Sequence, residues 1–283
     1  MIRQLTKRFY MEATAVNSVL EKTQLLAKLP KGYSVEKINP AHIDTAASIL
    51  AYCFTNNEPV SSFRKVDFES SLSAYKKMLL SVYQEGMVTM TLNAKGNMEG
   101  VVVCRNAAAV LAQALLPQPI SPNLDEGFRA LEAFRVYNYQ NWANYFKEKG
   151  LMSKKILHIY VGSIHPKLRG CKAGIIQLNQ SLEEAKRQGF ERAFVLTGTT
   201  ISASHFPPTL KISADEFESF VFDDPIKGKV NPFKGMNDWY NQKVNATRAI
   251  QGKSPLIDAG RHYRRFEGEV DSFIEYTRTQ ILS

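Results

Sequence analysis

Cysteine, long apolar runs and internal repeats are all scarce in this 283-residue chain. Its three cysteines, Cys53, Cys104 and Cys171, are too few and too scattered for a disulfide framework or a thiolate zinc site. Lys, Arg, Asn or Glu interrupts every apolar stretch before the roughly 18 residues that a membrane-spanning helix needs. No period recurs, which excludes collagen, coiled-coil and solenoid architectures. A globular protein in a reducing compartment remains, and we expect it in the cytoplasm.

The charge is positive but dispersed. Lys and Arg number 36 against 27 Asp and Glu, for a formal net charge of +9. The basic residues do not form one dense run, so we predict no nucleic-acid partner. The nearest approach to a patch is Arg261, His262, Arg264 and Arg265, which we interpret as a solvated or docking face. Hydrophobic residues at 44% suffice for a sizeable core.

In the first 30 residues, several basic side chains come before the first acidic one. Arg3, Lys7 and Arg8 precede the first acid, Glu12. This pattern is compatible with an organelle-targeting presequence, which would place the protein in mitochondria instead. An ordinary N-terminal helix is the favoured alternative, so we expect a helical extension over residues 1–30.

Hydrophobic periodicity predicts alternating helices and strands after this extension. The predicted helices cover residues 41–54, 67–83, 125–149 and 171–188. The predicted strands cover residues 33–38, 88–92, 100–104, 156–164, 193–196 and 217–222. The strand at 156–164 is apolar on both faces and is expected to be central. This order predicts an α+β fold, with a mixed sheet flanked by helices.

The junction after the central strand carries the clearest chemical signal. It reads Ile164-His-Pro-Lys-Leu-Arg169-Gly170-Cys171-Lys172-Ala173-Gly174. A strand that turns into a helix here aims backbone N–H groups and the positive end of the helix at one spot, which suits a pyrophosphate. The two glycines permit close backbone approach, and Arg169 adds a cation. A plain tight turn is the alternative.

This junction resembles the acetyl-CoA loop of the GNAT superfamily of N-acetyltransferases, whose pattern is Arg/Gln-x-x-Gly-x-Gly/Ala. Arg169 to Gly174 take those places, with Lys172 where the family has glycine. Other segments resemble the arylalkylamine-type members: Phe54-Thr-Asn-Asn-Glu58-Pro-Val60, Thr197-Gly-Thr-Thr-Ile-Ser202-Ala-Ser204-His205-Phe206, Phe222-Asp-Asp224 and Pro232-Phe233.

The resemblance implies a GNAT-like domain over residues 31–236 with a mostly antiparallel sheet. Helical extensions would flank it at 1–30 and 237–283. It implies transfer of an acetyl group from acetyl-CoA to a small amine, without a metal. The implied co-substrate contacts are Ile164, Arg169, Gly170, Cys171, Lys172, Ala173 and Gly174.

The same resemblance implies catalytic roles for three side chains. Glu58 would be the general base that takes a proton from the amine. A carboxylate that caps its loop, or that pairs with Arg64 or Lys65, is the alternative for Glu58. Ser202 or Ser204 would return a proton to the departing thiolate, with His205 and Tyr160 as competitors.

A second interpretation is a protein with the same fold but weakened catalysis. Lys172 in the loop, and Pro207 to Leu210 where the family has a helix against the thiol, favour a structural or binding subunit of a larger assembly. The two extensions would then dock protein partners. Glu58 and Ser202 favour the enzyme, which we prefer; a protein or peptide acceptor has no specific support. The five histidines show no metal spacing, and His158 is interpreted as a core residue.

Overall fold

The computed structural model describes residues 23–168, 170–197, 204–215, 219–256 and 263–283. Its helices are Ile43–Asn57 (α1), Pro59–Phe63 (α2), Phe68–Val82 (α3), Ala108–Ala114 (α4), Glu126–Glu148 (α5), Ala173–Arg187 (α6), Met236–Ile250 (α7) and Val270–Leu282 (α8). Its strands are Ser34–Lys37 (β1), Val88–Leu92 (β2), Met98–Asn106 (β3), Ile156–Ile164 (β4), Arg192–Thr197 (β5), Lys211–Asp215 (β6), Phe222–Asp224 (β7), Gly228–Val230 (β8) and Tyr263–Glu269 (β9).

One sheet organises the molecule. Its strand order is β1-β2-β3-β4-β5-β9-β6, and β7 and β8 form a separate hairpin. Only β4 and β5 pair in parallel; the other described pairs are antiparallel. β4 lies in the centre, with Leu157 and Ile159 buried. The predicted α+β class, with a mostly antiparallel sheet flanked by helices, is confirmed.

Helices cover both faces of the sheet because β-strand side chains alternate between them. On one face, Val102 of β3 packs with Leu178 of α6 and Phe273 of α8. On the other face, Val101 packs with Leu50 of α1, in a cluster that includes residues of α3. We refer to these as the α6–α8 side and the α1–α3 side.

The long helix α5 continues the α1–α3 side beyond β4. Asp125 caps its first turn, since its Oδ1 accepts from the Phe128 N–H at 3.0 Å. At the other end, Trp142 packs on Phe194 of β5 with ring centroids 4.7 Å apart. The helix predicted at 125–149 is therefore present, and its side chains pack over the β4–β5 pair.

Gly127 in the first turn of α5 allows a close backbone contact. A Cβ there would lie 2.5 Å from the carbonyl oxygen of Arg64, at the end of α2. In an open helix Gly→Ala stabilises by up to about 1 kcal/mol. Here we expect Gly127→Ala to lower the free energy of unfolding by about 1–3 kcal/mol, because backbone must shift. Urea unfolding measures it. Gly174→Ala, whose Cβ meets only side-chain atoms of Ile164, the nearer at 3.1 Å, should cost less.

The C-terminal segment differs from the expected helical extension over 237–283. β9 enters the sheet between β5 and β6, with Arg265 opposite Leu196. Arg264 and Arg265 are therefore half-buried strand residues, which corrects their interpretation as a solvated face. β5 needs a partner on its outer edge, and Phe266 anchors that partner in the core. The domain boundaries themselves stay predictions.

The last predicted strand, at 217–222, is also displaced. Residues 216–218 lie outside the described part of the chain, and β7 begins only at Phe222. Most of the N-terminal extension, residues 1–22, lies outside it as well. Leu25 and Leu29 are buried against α6 and α8.

Candidate active site

β4 and β5 pair over only part of their length. Their parallel pairing runs from Ile156 and Arg192 to Ile159 and Val195. β4 then continues to Ile164, so its edge away from β3 is left open. We call the space between the ends of β4 and β5 the split. It offers backbone N–H and C=O groups that no strand in the described part of the chain uses.

A β-bulge lies where the split begins. Val103 pairs with Val161 and Cys104 with Ile159, which leaves Tyr160 as the extra residue of β4. The bulge resets the alternation, because Tyr160 and Val161 both pack on the α1–α3 side. Tyr160 thus faces that side at the edge of the split.

The predicted anion loop follows the open end of β4. Gly170 has φ +86° and Lys172 has φ +63°, so the chain turns through two left-handed positions before α6 begins at Ala173. The N–H groups of the first helical turn have no partner within the helix. A Cβ at Gly174 would lie 3.1 Å from Ile164 Cγ1, so glycine lets the helix start close against β4.

The remaining loop residues shape the turn. The Cys171 thiol donates to the Leu168 carbonyl at 2.7 Å, and Ala173 is fully buried. Ile164 and residues 170–174 therefore lie together at this junction; their contacts with a co-substrate stay a prediction. Arg169 lies outside the described residues.

Lys172 is bonded to the C-terminal helix. Its ammonium donates to the Ile281 carbonyl at 3.2 Å, near the end of α8. At the other end of the helix pair, Lys186 contacts Asp271 at 2.6 Å, so α6 and α8 run antiparallel. The left-handed φ explains why glycine suits this position, and the bond explains where the longer side chain goes.

Glu58 lies at the α1–α2 junction. Its Oε2 accepts from the Ser61 N–H at 2.7 Å, so it caps α2 as the capping alternative predicted. Arg64 is paired with Glu126 at 2.6 Å instead. Burial raises the pKa of the Glu58 carboxyl, and the backbone N–H groups of Ser61 and Val60 limit the rise.

The surroundings of Glu58 face the bulge. Burial raises the pKa of the Tyr75 phenol well above its usual value, and the nearby Tyr160, Glu58 and Cys53 add to the shift. Tyr75 and Tyr160 also flank the same core cluster. Glu58 follows α1, whose Phe54 ring lies 5.5 Å from the Tyr75 ring, so it lies on the α1–α3 side, the side on which the bulge places Tyr160.

Segments far apart in the sequence meet beside Glu58. Val60 and Phe233 belong to one buried cluster, and Phe222 packs against it. Asp224 makes a buried ion pair with Arg129 of α5, with 3.0 Å between Nε and Oδ2. The segments that the sequence analysis singled out at 54–60, 222–224 and 232–233 thus build one wall, together with α5.

The sequence itself matches no protein-family model and no curated protein. Solved structures match the fold. A mutant agmatine N-acetyltransferase in its apo form is 13% identical, with a TM-score of 0.58 over 84% of this chain and 100% of that one. The arylalkylamine N-acetyltransferase-like protein 5b of a mosquito and the polyamine N-acetyltransferase of Drosophila melanogaster are each 13% identical, with TM-scores of 0.57 over 84% of this chain and 99% of theirs. The chain has the GNAT fold. Its form is close to that of the arylalkylamine-type enzymes.

Of the two serines proposed as proton donors, the structure describes only Ser204, which lies away from Glu58 in this GNAT fold. Ser202 lies outside the described residues. Ser204 is exposed, and its carbonyl accepts from the Tyr276 hydroxyl of α8 at 3.0 Å, which places it on the α6–α8 side. His205 follows it, with a pKa that burial lowers. The role of Ser204 stays a prediction.

The segment after Ser204 is not helical. It contains a single 3-10 turn at Pro208–Leu210 before β6. α8 instead packs along α6, with Asn179 donating to Thr277 at 2.9 Å. The C-terminal helix therefore lies beside the loop helix of this GNAT fold.

A polar cluster near Tyr160 was missed by the sequence analysis. Arg105 of β3 stacks on the Tyr160 ring, with Cζ 4.1 Å from its centroid, and donates to the Tyr139 hydroxyl. His158 is buried as interpreted, stacked on Phe194 at 4.4 Å. Burial, aided by Arg105 and Arg135, lowers its pKa well below the usual value. The missed signal is the polar spacing of α5, which sets Glu132, Arg135 and Tyr139 along one face.

Two further classes of site were searched in the described residues. No group of three or more His, Cys, Asp or Glu side chains there could hold a metal ion. No helix in that part of the chain is long and apolar enough to cross a membrane.

Proposed function

We propose that this protein is an acyl-CoA-dependent N-acyltransferase that moves an acetyl group from acetyl-CoA to a small amine. The observation that carries this proposal is the split, with the first turn of α6 at its end and Glu58 on the same side of the sheet as the bulge at its edge. Together they offer a place for an anionic thioester on one side and a base for an amine on the other.

The residues at the split suit such a co-substrate. Ser163 Oγ and Thr197 Oγ1 are buried at the ends of β4 and β5, and neither has a hydrogen-bond partner among the described residues. Buried hydroxyls normally have partners. Strand alternation puts Ser163 on the α1–α3 side and Thr197 on the α6–α8 side, so each could bind a polar group on its own face of the split. The N–H groups at Ala173 and Gly174, with Arg169, would hold the pyrophosphate.

Each step of the proposed acetyl transfer is assigned to particular residues of the chain. Acetyl-CoA would supply the thioester carbonyl that the amine attacks, forming a C–N bond as the C–S bond breaks. Glu58 takes the proton that the amine must lose before it is nucleophilic. Open N–H groups of β4 beyond the bulge point into the split and can stabilise negative charge on the carbonyl oxygen. Ser204 and Ser202 are the proposed donors to the thiolate.

Calorimetric titration with acetyl-CoA tests the first half of this proposal. Arg169→Glu should weaken binding about 10- to 100-fold or more, because a charge-assisted hydrogen bond worth about 1.5–3 kcal/mol is lost and repulsion is added. Arg187→Glu makes the same charge change at the exposed C-terminal end of α6 and should leave affinity unchanged. Equal affinity of the Arg169 variant and the wild type would contradict the assignment.

The structural-subunit alternative has one observation in its favour. Lys172 is bonded to α8, and the negative C-terminal end of α8 lies beside the positive end of α6, which opposes anion binding. Wild-type protein without detectable binding at millimolar acetyl-CoA would favour this alternative over the enzyme.

A further inference from the structure

Tyr160 lies on the α1–α3 side, between the part covered by α1 and α3 and the part covered by α5. On one flank it packs against the same cluster as Tyr75, whose ring lies 5.5 Å from that of Phe54 near the end of α1, where Glu58 follows. On the other flank its ring lies under Arg105 and 5.1 Å from the His158 ring. We call the surface formed by Tyr75, Tyr160, His158 and Arg105 the floor. Tyr160 is half-buried, so the floor is reachable from solvent. A molecule lying on the Tyr160 ring would have Glu58 near one end and Arg105 near the other.

Arg105 is the cation of this floor that lacks a balancing partner. Its described contacts are the Tyr139 hydroxyl and the rings of Tyr160 and Tyr139, and its Nε has no hydrogen-bond partner. Burial raises the pKa of the nearby Glu85 carboxyl, against the opposing effects of the Asn106 N–H, which donates to its Oε2 at 2.8 Å, and of Arg105. A guanidinium offers five N–H donors, so Arg105 retains capacity for an anion.

The neighbouring charges do not cancel this cation. Arg135, 5.4 Å from the Tyr139 ring, is paired with Glu132 at 2.6 Å and contributes no net charge as a pair. His158 is held neutral between the two arginines. Glu85 is therefore the acidic group that faces Arg105 beyond Tyr160, and among the described residues it makes no ion pair with it; the carboxylate before Tyr160 is Glu58.

We propose that the acceptor is an amine that also carries a carboxylate, with its amino group at Glu58 and its carboxylate on Arg105. This inference rests on the proposed function. Arginine suits a carboxylate because its planar fork matches two oxygens. The Tyr160 ring separates the two ends, which favours an ω-amino acid with a short chain. A diamine would place its second cation beside Arg105, where like charges repel.

Three matched acceptors test the inference: 4-aminobutyrate, butylamine and 1,4-diaminobutane. They share a four-carbon chain and differ in the charge at the far end. With acetyl-CoA and thiol release as the readout, we expect kcat/KM to be at least about 10-fold higher for 4-aminobutyrate than for butylamine, as for a hydrogen bond to a charged group. The diamine should be the poorest of the three.

Variants of Arg105 separate recognition from folding. Arg105→Met should lower kcat/KM for 4-aminobutyrate about 10- to 100-fold, through KM, and leave butylamine unchanged. Arg105→Lys should retain part of the preference. Lys149→Met, the same charge loss at the exposed end of α5, should retain all of it.

The outcomes distinguish this inference from the function on which it rests. Equal use of 4-aminobutyrate and butylamine by the wild type would overturn the carboxylate but leave the acyltransferase. An equal loss for both acceptors in Arg105→Met, with a lowered melting temperature, would show a structural arginine and overturn the inference. Binding of acetyl-CoA without turnover of any acceptor, or no binding at all, would overturn it together with the proposed function.

Discussion

Replacing Glu58 with glutamine should lower turnover of an amine acceptor about 10²–10⁴-fold, the usual range for loss of a general base. The carboxylate takes a proton from the amine, and an amide cannot. Affinity for acetyl-CoA should hardly change, because Glu58 lies on the α1–α3 side whereas the loop at Gly170 begins α6 on the other side. Steady-state kinetics and calorimetry measure the two quantities.

The pH dependence of kcat/KM should also differ between the wild type and Glu58→Gln. Burial raises the pKa of Glu58, so the wild-type carboxyl is protonated and inactive as a base at low pH. Its kcat/KM should therefore rise with pH through a pKa above the usual carboxyl range. Glu58→Gln should lack this limb, and its deficit should shrink at alkaline pH, where more of the free amine is already deprotonated.

Glutamine is chosen over alanine because Glu58 also caps α2. The amide oxygen can still accept from the Ser61 N–H, so stability should change by less than about 1 kcal/mol. Glu58→Ala removes both roles. Normal turnover in the glutamine variant would remove Glu58 from the mechanism and leave it as a cap.

Elements with a clear local pattern were predictable. The hairpin at 88–104 and the helix α5 follow from hydrophobic periodicity and capping residues, and β4 follows from its two apolar faces. The loop at Gly170–Gly174 followed from a resemblance, not from periodicity. The structure supplies its reason, which is the close start of α6 against Ile164.

β9 shows why the remainder was not predictable. Tyr263-Arg-Arg-Phe266-Glu has one strongly buried apolar residue, so its pattern resembles a charged surface segment. It becomes a strand because the backbone N–H and C=O groups on the outer edge of β5 need hydrogen-bond partners. That need arises from the sheet and cannot be read from the local sequence of β9. The bulge at Tyr160 likewise depends on register with β3. Arg105 and Tyr160 meet only once β3 and β4 pair in this register.

The largest stability effect is expected at Arg129. Its Nε lies 3.0 Å from Asp224 Oδ2, and the two side chains are 6% and 2% exposed. The Arg129 Nη1 also donates to the Leu124 carbonyl, while Asp224 Oδ1 accepts from Ile226 and Lys227 and so closes the β7–β8 hairpin. The pair thus fastens this hairpin to α5.

Arg129→Met should lower the free energy of unfolding by about 3–5 kcal/mol at neutral pH, because it leaves a buried carboxylate without its cation. Burial alone would raise the pKa of Asp224, but the N–H groups of Ile226, Arg129 and Lys227 hold it below its ordinary value of 3.8. The wild-type contribution is therefore present above about pH 4 and is lost as pH falls through the lowered pKa. Without Arg129 the pKa rises, so the deficit of the variant should shrink on acidification, when Asp224 becomes neutral.

Urea unfolding at pH 7 and pH 5 measures both effects. Lys154→Met breaks the exposed pair with Glu191, whose side chains are 45% and 50% exposed, and should cost at most about 1 kcal/mol. Combining Arg129→Met with Asp224→Asn removes the stranded charge and should restore part of the loss. If Arg129→Met costs no more than Lys154→Met, the ion pair does not fasten the hairpin. If its deficit is the same at both pH values, Asp224 is not the group left unpaired.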